Sequence, residues 1–276
     1  MLGFFKTKPI LPEEDIHFQV ATYQWLLKHF GGKYFFKETQ LILPNRVFFP
    51  SKVESNEEAA IATFERVKQY AGMSGWNCVL EAQEEDVDAE LAPALIVQNA
   101  PSSPHGTFQA KENNKVLITY NPQLVSNPTQ LVATYAHELA HYLTSSAPEE
   151  PPEGWDNWEF ATDISATFLG FGVFMASSAF NFQQYANVDS QGWHYSRSGY
   201  LSEEEHIFAL AIFLLLQNTP TETVSPYLTP HLTKKLKQAI KYINNTNIIS
   251  TLQSVQYIQP QETENNTESH TEGENR

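Results

Sequence analysis

The sequence predicts an α+β fold in which a small, mostly antiparallel sheet packs on a capped helix and a helical half follows. Short apolar runs at residues 78–82, 94–98 and 116–120 are separated by Pro, Gly and Asn, a pattern that is typical of strands. A capped helical pattern begins at Asn127, and apolar residues recur at helical spacing in most of the chain after it.

The predicted helices are recognised by their caps and stops. Gly31 and Gly32 follow the first helical pattern, and Gly72 follows the second. Asn127 caps the central helix, and Ser202 caps a later one. In chain order, the predicted helices are 12–30, 56–70, 127–144, 158–180, 202–216 and 230–243.

The chain is acidic, with 17 Lys and Arg against 32 Asp and Glu and a formal net charge of −15 at pH 7. Such a surface repels phosphate backbones and anionic membrane faces, so we expect neither nucleic acid nor a membrane as a partner. The single cysteine, Cys78, permits no intrachain disulfide. Because no apolar leader begins the chain and the longest apolar run, 207–216, is too short to span a bilayer, the sequence predicts a cytoplasmic protein.

Residues 137–141, His-Glu-Leu-Ala-His, lie inside the central predicted helix. Residues four apart share a helix face, so His137 and His141 can present two imidazole nitrogens to one cation. Glu138 lies about 100° round the helix, where its carboxylate can take a proton from a metal-bound water. The pattern predicts one Zn²⁺ per chain and a hydrolytic reaction.

A catalytic zinc site needs a third protein ligand and one open position. Glu159 and Asp163 stand one turn apart at the start of the next predicted helix, so either of them can supply it. Glu153 and Asp156, in the loop before that helix, are weaker candidates because loop acids are usually solvated. Two imidazoles and one carboxylate suit zinc, although iron, cobalt or nickel fit the same donors.

The spacing of these residues resembles the gluzincin pattern of thermolysin-like zinc metallopeptidases, HExxH followed by ExxxD. The resemblance implies a zincin-like fold, with the sheet packed on the active-site helix, and cleavage of a peptide or protein substrate. It implies that His137, His141 and Glu159 bind the metal, while Asp163 accepts a hydrogen bond from a ligand histidine. In the alternative, which resembles aspzincins, Asp163 itself binds zinc and Glu159 is structural.

The segment after the motif is also similar to an uncharacterised bacterial family in which HELxH precedes a TDxxxxFLGxGVF helix. Here Thr162 and Asp163 begin that segment, and residues 168–174 complete it. The similarity extends to residues 199–201 and implies no substrate.

The chain divides into four predicted parts around the motif. Residues 1–75 are an N-terminal helical region, 76–145 contain the sheet and the active-site helix, and 146–258 form a helical half that carries the third metal ligand. Residues 259–276 are polar and acidic without periodicity, so we expect a disordered tail.

A hydrolase of this kind gains from a hydrogen-bond donor near the developing oxyanion. His194 and Tyr195 are candidates, because thermolysin-like enzymes use His or Tyr from a later region of the chain. We interpret His206 as a histidine on a helix surface, and Trp155 and Trp158 as core residues, with the lining of a substrate pocket as the alternative for the two tryptophans.

The predicted function is a zinc-dependent hydrolase, a peptidase by resemblance, with Glu138 as general base and then general acid. The alternative is a non-catalytic zinc-binding module with a structural or protein-interaction role. An interaction protein without a metal is a further alternative. The sequence does not reveal the oligomeric state.

Overall fold

The computed structural model describes residues 8–50, 55–82, 97–98, 116–186 and 201–259. Most of this part of the chain is helical. The helices are α1 (Glu13–Leu26), α2 (Gly32–Lys37), α3 (Asn56–Tyr70), α4 (Pro128–Thr144), α5 (Trp158–Ala166), α6 (Gly172–Ala186), α7 (Glu203–Leu216), α8 (Pro230–Ile243) and α9 (Ile248–Gln253). The strands are β1 (Cys78–Ala82), β2 (Val97–Gln98) and β3 (Val116–Tyr120).

The prediction of an α+β fold with a mostly antiparallel sheet is wrong, because the protein is mostly helical. β1 and β3 pair in parallel, from Cys78 opposite Val116 to Ala82 opposite Tyr120, and only the two-residue β2 pairs antiparallel with β3. Parallel neighbours need a crossover connection, and residues 83–115 are long enough for one. Apolar runs between turn residues locate strands but carry no information about strand direction, which depends on the path of the chain between them.

The helix α4 is buried over almost its whole length. Asn127 caps it by accepting a hydrogen bond from the amide of Gln130 at 3.3 Å, and Pro128 occupies the first turn, where its missing N–H leaves no partner unsatisfied. Its apolar side chains join a buried cluster with α3, α6 and the strands, while α5 packs on it as well. The motif of two histidines therefore lies inside the protein.

The helix α7 is also buried. Ser202 and Glu205 form a capping box at its start, with hydrogen bonds of 3.3 Å to the Ser202 hydroxyl and 2.8 Å to the Glu205 carboxylate. Every residue from 206 to 214 is buried, as expected for a helix that is apolar on all sides. With α1, α5 and α8, it forms a second cluster of buried apolar side chains.

The segment predicted as one helix over 158–180 is interrupted. A π-helical turn, Thr167–Phe171, separates α5 from α6, and Gly170 within it has a φ of 103°. The amide of Ile42 donates to the carbonyl of Gly170 at 2.9 Å, and a Cβ at position 170 would collide with the carbonyl oxygen of Gln40. The break exists because the chain between α2 and α3 crosses here at backbone contact distance.

The stretch Trp155–Ala179 is long and apolar enough to cross a membrane, judged by length and composition alone. In the structure, however, 94% of its most apolar window is buried inside the protein. It contacts α4 and α7, so its apolar surface is used in packing, as in the core helix of a soluble protein.

Candidate metal centre

Two imidazoles and one carboxylate meet where α4 and α5 pack together. His137 and His141 project from successive turns of α4, and Glu159 lies in the first turn of α5. Glu159 Oε2 lies 3.3 Å from His137 Nε2 and 3.1 Å from His141 Nε2. All three potential ligand atoms lie within 4.8 Å of one another, so one cation can contact them together.

These separations suit a zinc ion. Tetrahedral zinc, with bonds of about 2.0–2.1 Å to nitrogen and oxygen, places its donor atoms roughly 3.3 Å apart. The distances from Glu159 Oε2 to the two Nε2 atoms, 3.3 Å and 3.1 Å, match that spacing. Zinc accepts two neutral imidazoles and one carboxylate, and iron, cobalt and nickel accept the same donors.

Asp163 supports His137 from the side away from Glu159. Its Oδ1 accepts a hydrogen bond from His137 Nδ1 at 2.8 Å, and its Oδ2 accepts one from the Leu201 amide at 3.0 Å. A carboxylate opposite Nδ1 keeps a proton there and leaves Nε2 facing Glu159, where loss of the Nε2 proton exposes the lone pair that a metal needs. The structure thus places Glu159, and not Asp163, in the group of potential ligand atoms.

Thr162 and Trp158 hold the ring of His141. Thr162 Oγ1 lies 3.1 Å from His141 Nδ1, and a hydrogen bond donated by Nδ1 leaves Nε2 facing Glu159. The Trp158 ring packs edge-on against the imidazole, with the ring centroids 4.9 Å apart. The Trp158 indole N–H donates to Thr144 Oγ1 at 2.8 Å. The indole is therefore fixed on one side and restrains the His141 ring on the other.

The electrostatics of the centre favour a positive charge between its groups. Burial by itself lowers the pKa of His137, but the hydrogen bonds to Asp163 and Glu159 outweigh it and hold that pKa well above its ordinary value. Burial by itself raises the pKa of Glu159, but the hydrogen bonds from His137 and His141 outweigh it and hold that pKa far below its usual range. Either a proton or a metal ion between the histidines and Glu159 supplies this positive charge.

Glu138 lies beside these groups without belonging to the cluster of potential ligand atoms. It is 9% exposed, and burial raises the pKa of its carboxyl against the opposing effect of the two histidines. A raised carboxyl pKa suits a group that takes up and releases a proton near neutral pH. Solvent reaches the centre on the side of Glu159, since that side chain is 46% exposed.

The interpretation of His206 as a surface histidine is wrong. Its side chain is fully buried in the first turn of α7, and its Nε2 lies 3.7 Å from Asp163 Oδ2, which is beyond hydrogen-bond distance. Burial lowers the pKa of His206, so the ring is neutral at neutral pH. The apolar run at 207–216 was the available signal, because a helix that is apolar on every side is buried.

Of the remaining predicted residues, two stand apart from the centre and two lie outside the described part of the chain. Glu153 and Asp156 are exposed and do not belong to the group of potential ligand atoms. His194 and Tyr195 lie outside the described residues. Sequence reasoning missed the Leu201 amide as a support for Asp163, because a contact across 38 residues has no local pattern.

Comparison with known proteins finds no relative: no family model, no curated protein and no solved structure matches the chain. The likeness to gluzincins therefore rests on the motif residues alone. It stays a resemblance of residue types and spacing.

Proposed function

We propose that this protein is a zinc-dependent hydrolase that cleaves peptide bonds, with one zinc ion held by His137, His141 and Glu159. One observation carries the proposal: the Nε2 atoms of both histidines lie 3.3 Å and 3.1 Å from the same Glu159 oxygen. Three protein ligands leave one position of tetrahedral zinc for water, which is the arrangement of catalytic sites.

The residues around the ligands suit a hydrolytic reaction. Bound zinc supplies a water of lowered pKa and polarises a carbonyl oxygen. Glu138 would take a proton from the attacking water as general base and deliver it to the leaving amine as general acid. Burial raises the pKa of the Glu138 carboxyl, which suits it to carry the proton between the two steps. Asp163 and Thr162 keep the ligand imidazoles oriented throughout.

Peptide is the proposed substrate because the residues resemble those of thermolysin-like metallopeptidases, with HExxH on one helix and ExxxD on the next. A net charge of −15 disfavours nucleic acid and anionic membranes as partners. We place the protein in the cytoplasm, because Cys78 has no partner for an intrachain disulfide and the apolar stretch Trp155–Ala179 is buried.

A second candidate is a non-catalytic zinc module with a structural or protein-interaction role. The burial of the centre favours this second candidate, because His137 is only 3% exposed. Asp163 also connects His137 to the Leu201 amide, just before α7. A structural role, however, gives no reason for burying Glu138 beside the ligands, where burial disfavours its charged form.

Zinc content and peptide hydrolysis of the full chain test the proposal. Wild type should bind about one zinc ion and cleave members of a broad peptide library. Glu138→Gln keeps the side-chain size but cannot take up the proton, so kcat should fall by about 10²–10⁴-fold with the zinc content unchanged. Glu65→Gln, at an exposed position of α3, is the matched control and should change neither quantity.

Other outcomes decide against the proposal. Zinc binding with no cleavage of any peptide, and no effect of Glu138→Gln, favours the structural module. Protein that was purified without a chelator and contains no metal by elemental analysis contradicts both candidates. Stoichiometric iron, cobalt or nickel contradicts the assignment of zinc.

A further inference from the structure

His206 is a buried polar side chain that the proposed reaction does not use. It stands in the first turn of α7, and residues 207–214 after it are all buried apolar side chains. Within the described residues, neither nitrogen of its ring has a hydrogen-bond partner. A buried polar group without a partner is destabilising, and an apolar side chain of similar volume would avoid that cost. The polar group that the ring faces therefore indicates why a histidine stands at this position.

That group is the second oxygen of Asp163. Asp163 Oδ1 accepts a hydrogen bond from His137 Nδ1 at 2.8 Å, and Oδ2 accepts one from the Leu201 amide at 3.0 Å. A carboxylate oxygen has two lone pairs, so Oδ2 can accept a second hydrogen bond. His206 Nε2 lies 3.7 Å from Oδ2. A movement of roughly 0.5 Å brings the two atoms to hydrogen-bond distance.

We propose that His206 is a positioning residue for the metal centre: together with the Leu201 amide, its Nε2–H holds the Asp163 carboxylate in the orientation that aligns His137. The inference rests on the proposed zinc site. Side chains from α7, α5 and α4 form one line, from His206 through Asp163 to the ligand histidine. When the His206 side chain is removed, Asp163 loses one of its restraints. Zinc binding then has to order His137 as well, which lowers the affinity.

The neutral state of His206 suits this role. Burial lowers the pKa of the ring, so it offers one N–H and one lone pair at neutral pH. With Nε2 facing a carboxylate oxygen, the proton belongs on Nε2. The ring therefore restrains Asp163 without adding a positive charge near the proposed metal site, where such a charge would repel the metal ion.

Variants at position 206 separate a donor to Asp163 from simple filling of the core. His206→Gln keeps an N–H donor the same number of bonds from the backbone as Nε2, and His206→Asn carries that amide one bond shorter. His206→Phe keeps a buried ring without a donor. The readout is the zinc dissociation constant of the full chain at pH 7, measured by competition with a chromophoric chelator.

The expected changes are graded. Loss of a group that supports a ligand histidine weakens metal affinity by about 10–100-fold, and Asp163→Asn should fall in that range. His206→Phe and His206→Asn should weaken it by about threefold to tenfold, because the Leu201 amide remains. His206→Gln should weaken it by less than about twofold, because a donor to Asp163 is retained.

The dependence of the His206 effect on Asp163 separates the two roles. If His206 only fills the core, its substitution should change zinc affinity equally with and without Asp163. In an Asp163→Asn background, His206→Phe should weaken zinc binding by no more than about twofold further, because the group through which it acts is already changed. Phe213→Leu, also a fully buried side chain of α7, is the matched control for damage to the core. It should leave the dissociation constant within about twofold of wild type.

Four results overturn the inference: no effect of His206→Phe and His206→Asn, no advantage of His206→Gln, effects that multiply in the double variant, or an equal loss in Phe213→Leu. If hydrolysis remains dependent on Glu138 in that case, the inference alone fails. The expected pattern of zinc affinities without any peptide cleavage supports the role of His206 and removes only the peptidase. A wild type that binds no zinc overturns both.

Discussion

Each histidine of the proposed centre has its Nδ1 occupied before any metal binds. Asp163 accepts a hydrogen bond from Nδ1 of His137, and Thr162 lies at hydrogen-bond distance from Nδ1 of His141. Both contacts leave Nε2 directed at Glu159, so the ring orientation that zinc needs is already present. Little of the binding free energy is then needed to orient the rings.

Zinc binding should release about one proton per chain at pH 7. The pKa of His137 is held well above 6.5, so the metal-free protein carries this proton at pH 7 and the metal must displace it. The pKa of Glu159 is lowered, so that ligand is already ionised and releases none. The apparent affinity should therefore fall as pH falls, by about tenfold per unit for one displaced proton. Calorimetry in buffers of different ionisation enthalpy counts the protons.

Asp163→Asn is the matched variant for this measurement. Asn lacks the charge that helps to raise the pKa of His137, so zinc binding should release fewer protons at pH 7 than in wild type. A wild-type chain that binds zinc without releasing a proton between pH 6.5 and pH 7.5 would contradict the proton placement described above.

At the scale of single elements, the break between α5 and α6 determines how the helix that carries Glu159 and Asp163 continues. The π-helical turn begins at Thr167, one turn after Asp163. Within it, Gly170 adopts a φ of 103° and accepts a hydrogen bond from the amide of Ile42 at 2.9 Å. Such turns within helices are rare and frequently lie at functional sites. Here the turn sets the point at which α6 departs from the axis of α5, the helix that carries Glu159 and Asp163.

Gly170→Ala should destabilise the protein by about 2–5 kcal/mol. A left-handed φ costs a non-glycine residue about 1–2 kcal/mol, and the collision of the new Cβ with the Gln40 carbonyl adds about 1–3 kcal/mol. Urea unfolding followed by circular dichroism measures the change. Gly75→Ala is the matched control, because a Cβ there meets nothing within 4 Å, and it should change stability by less than about 1 kcal/mol. Equal losses of unfolding free energy in the two variants would show that the π-helical turn does not require glycine at position 170.

At the scale of the whole molecule, the proposed centre joins α4 to α5 and, through Asp163, to the start of α7. Zinc that binds only the folded chain should raise the free energy of unfolding by about 2.7 kcal/mol at a free concentration of 100 times its Kd. For a chain of this size, the corresponding rise in Tm is roughly 5 °C.

Thermal unfolding with zinc and with a chelator measures this shift. Glu138→Gln should keep it, because Glu138 is not a member of the ligand group, and His141→Ala should lose it. If the rise persists in His141→Ala, the stabilising ion binds elsewhere on the chain.

Three helix positions were predictable because the signals that set them are local, whereas π-helical turns interrupt the helices predicted at 12–30 and 158–180. The helices predicted at 56–70 and 230–243 coincide with α3 and α8, and α4 follows its predicted cap, Asn127. Caps and the 3.6-residue period act within one or two turns. The mostly antiparallel pairing predicted for the sheet was wrong, since β1 and β3 are parallel and strand direction follows from no local pattern.

The sequence by itself determined that His137 and His141 share one face of a helix, because helical geometry relates positions four apart wherever the helix lies. It also restricted the preferred third ligand to Glu159 or Asp163. Only the tertiary structure decided that Glu159 meets both Nε2 atoms while Asp163 reaches Nδ1 of His137 and faces His206. The physical reason is that the packing of α5 and α7 around α4, and not spacing along the chain, sets which side chains come into contact.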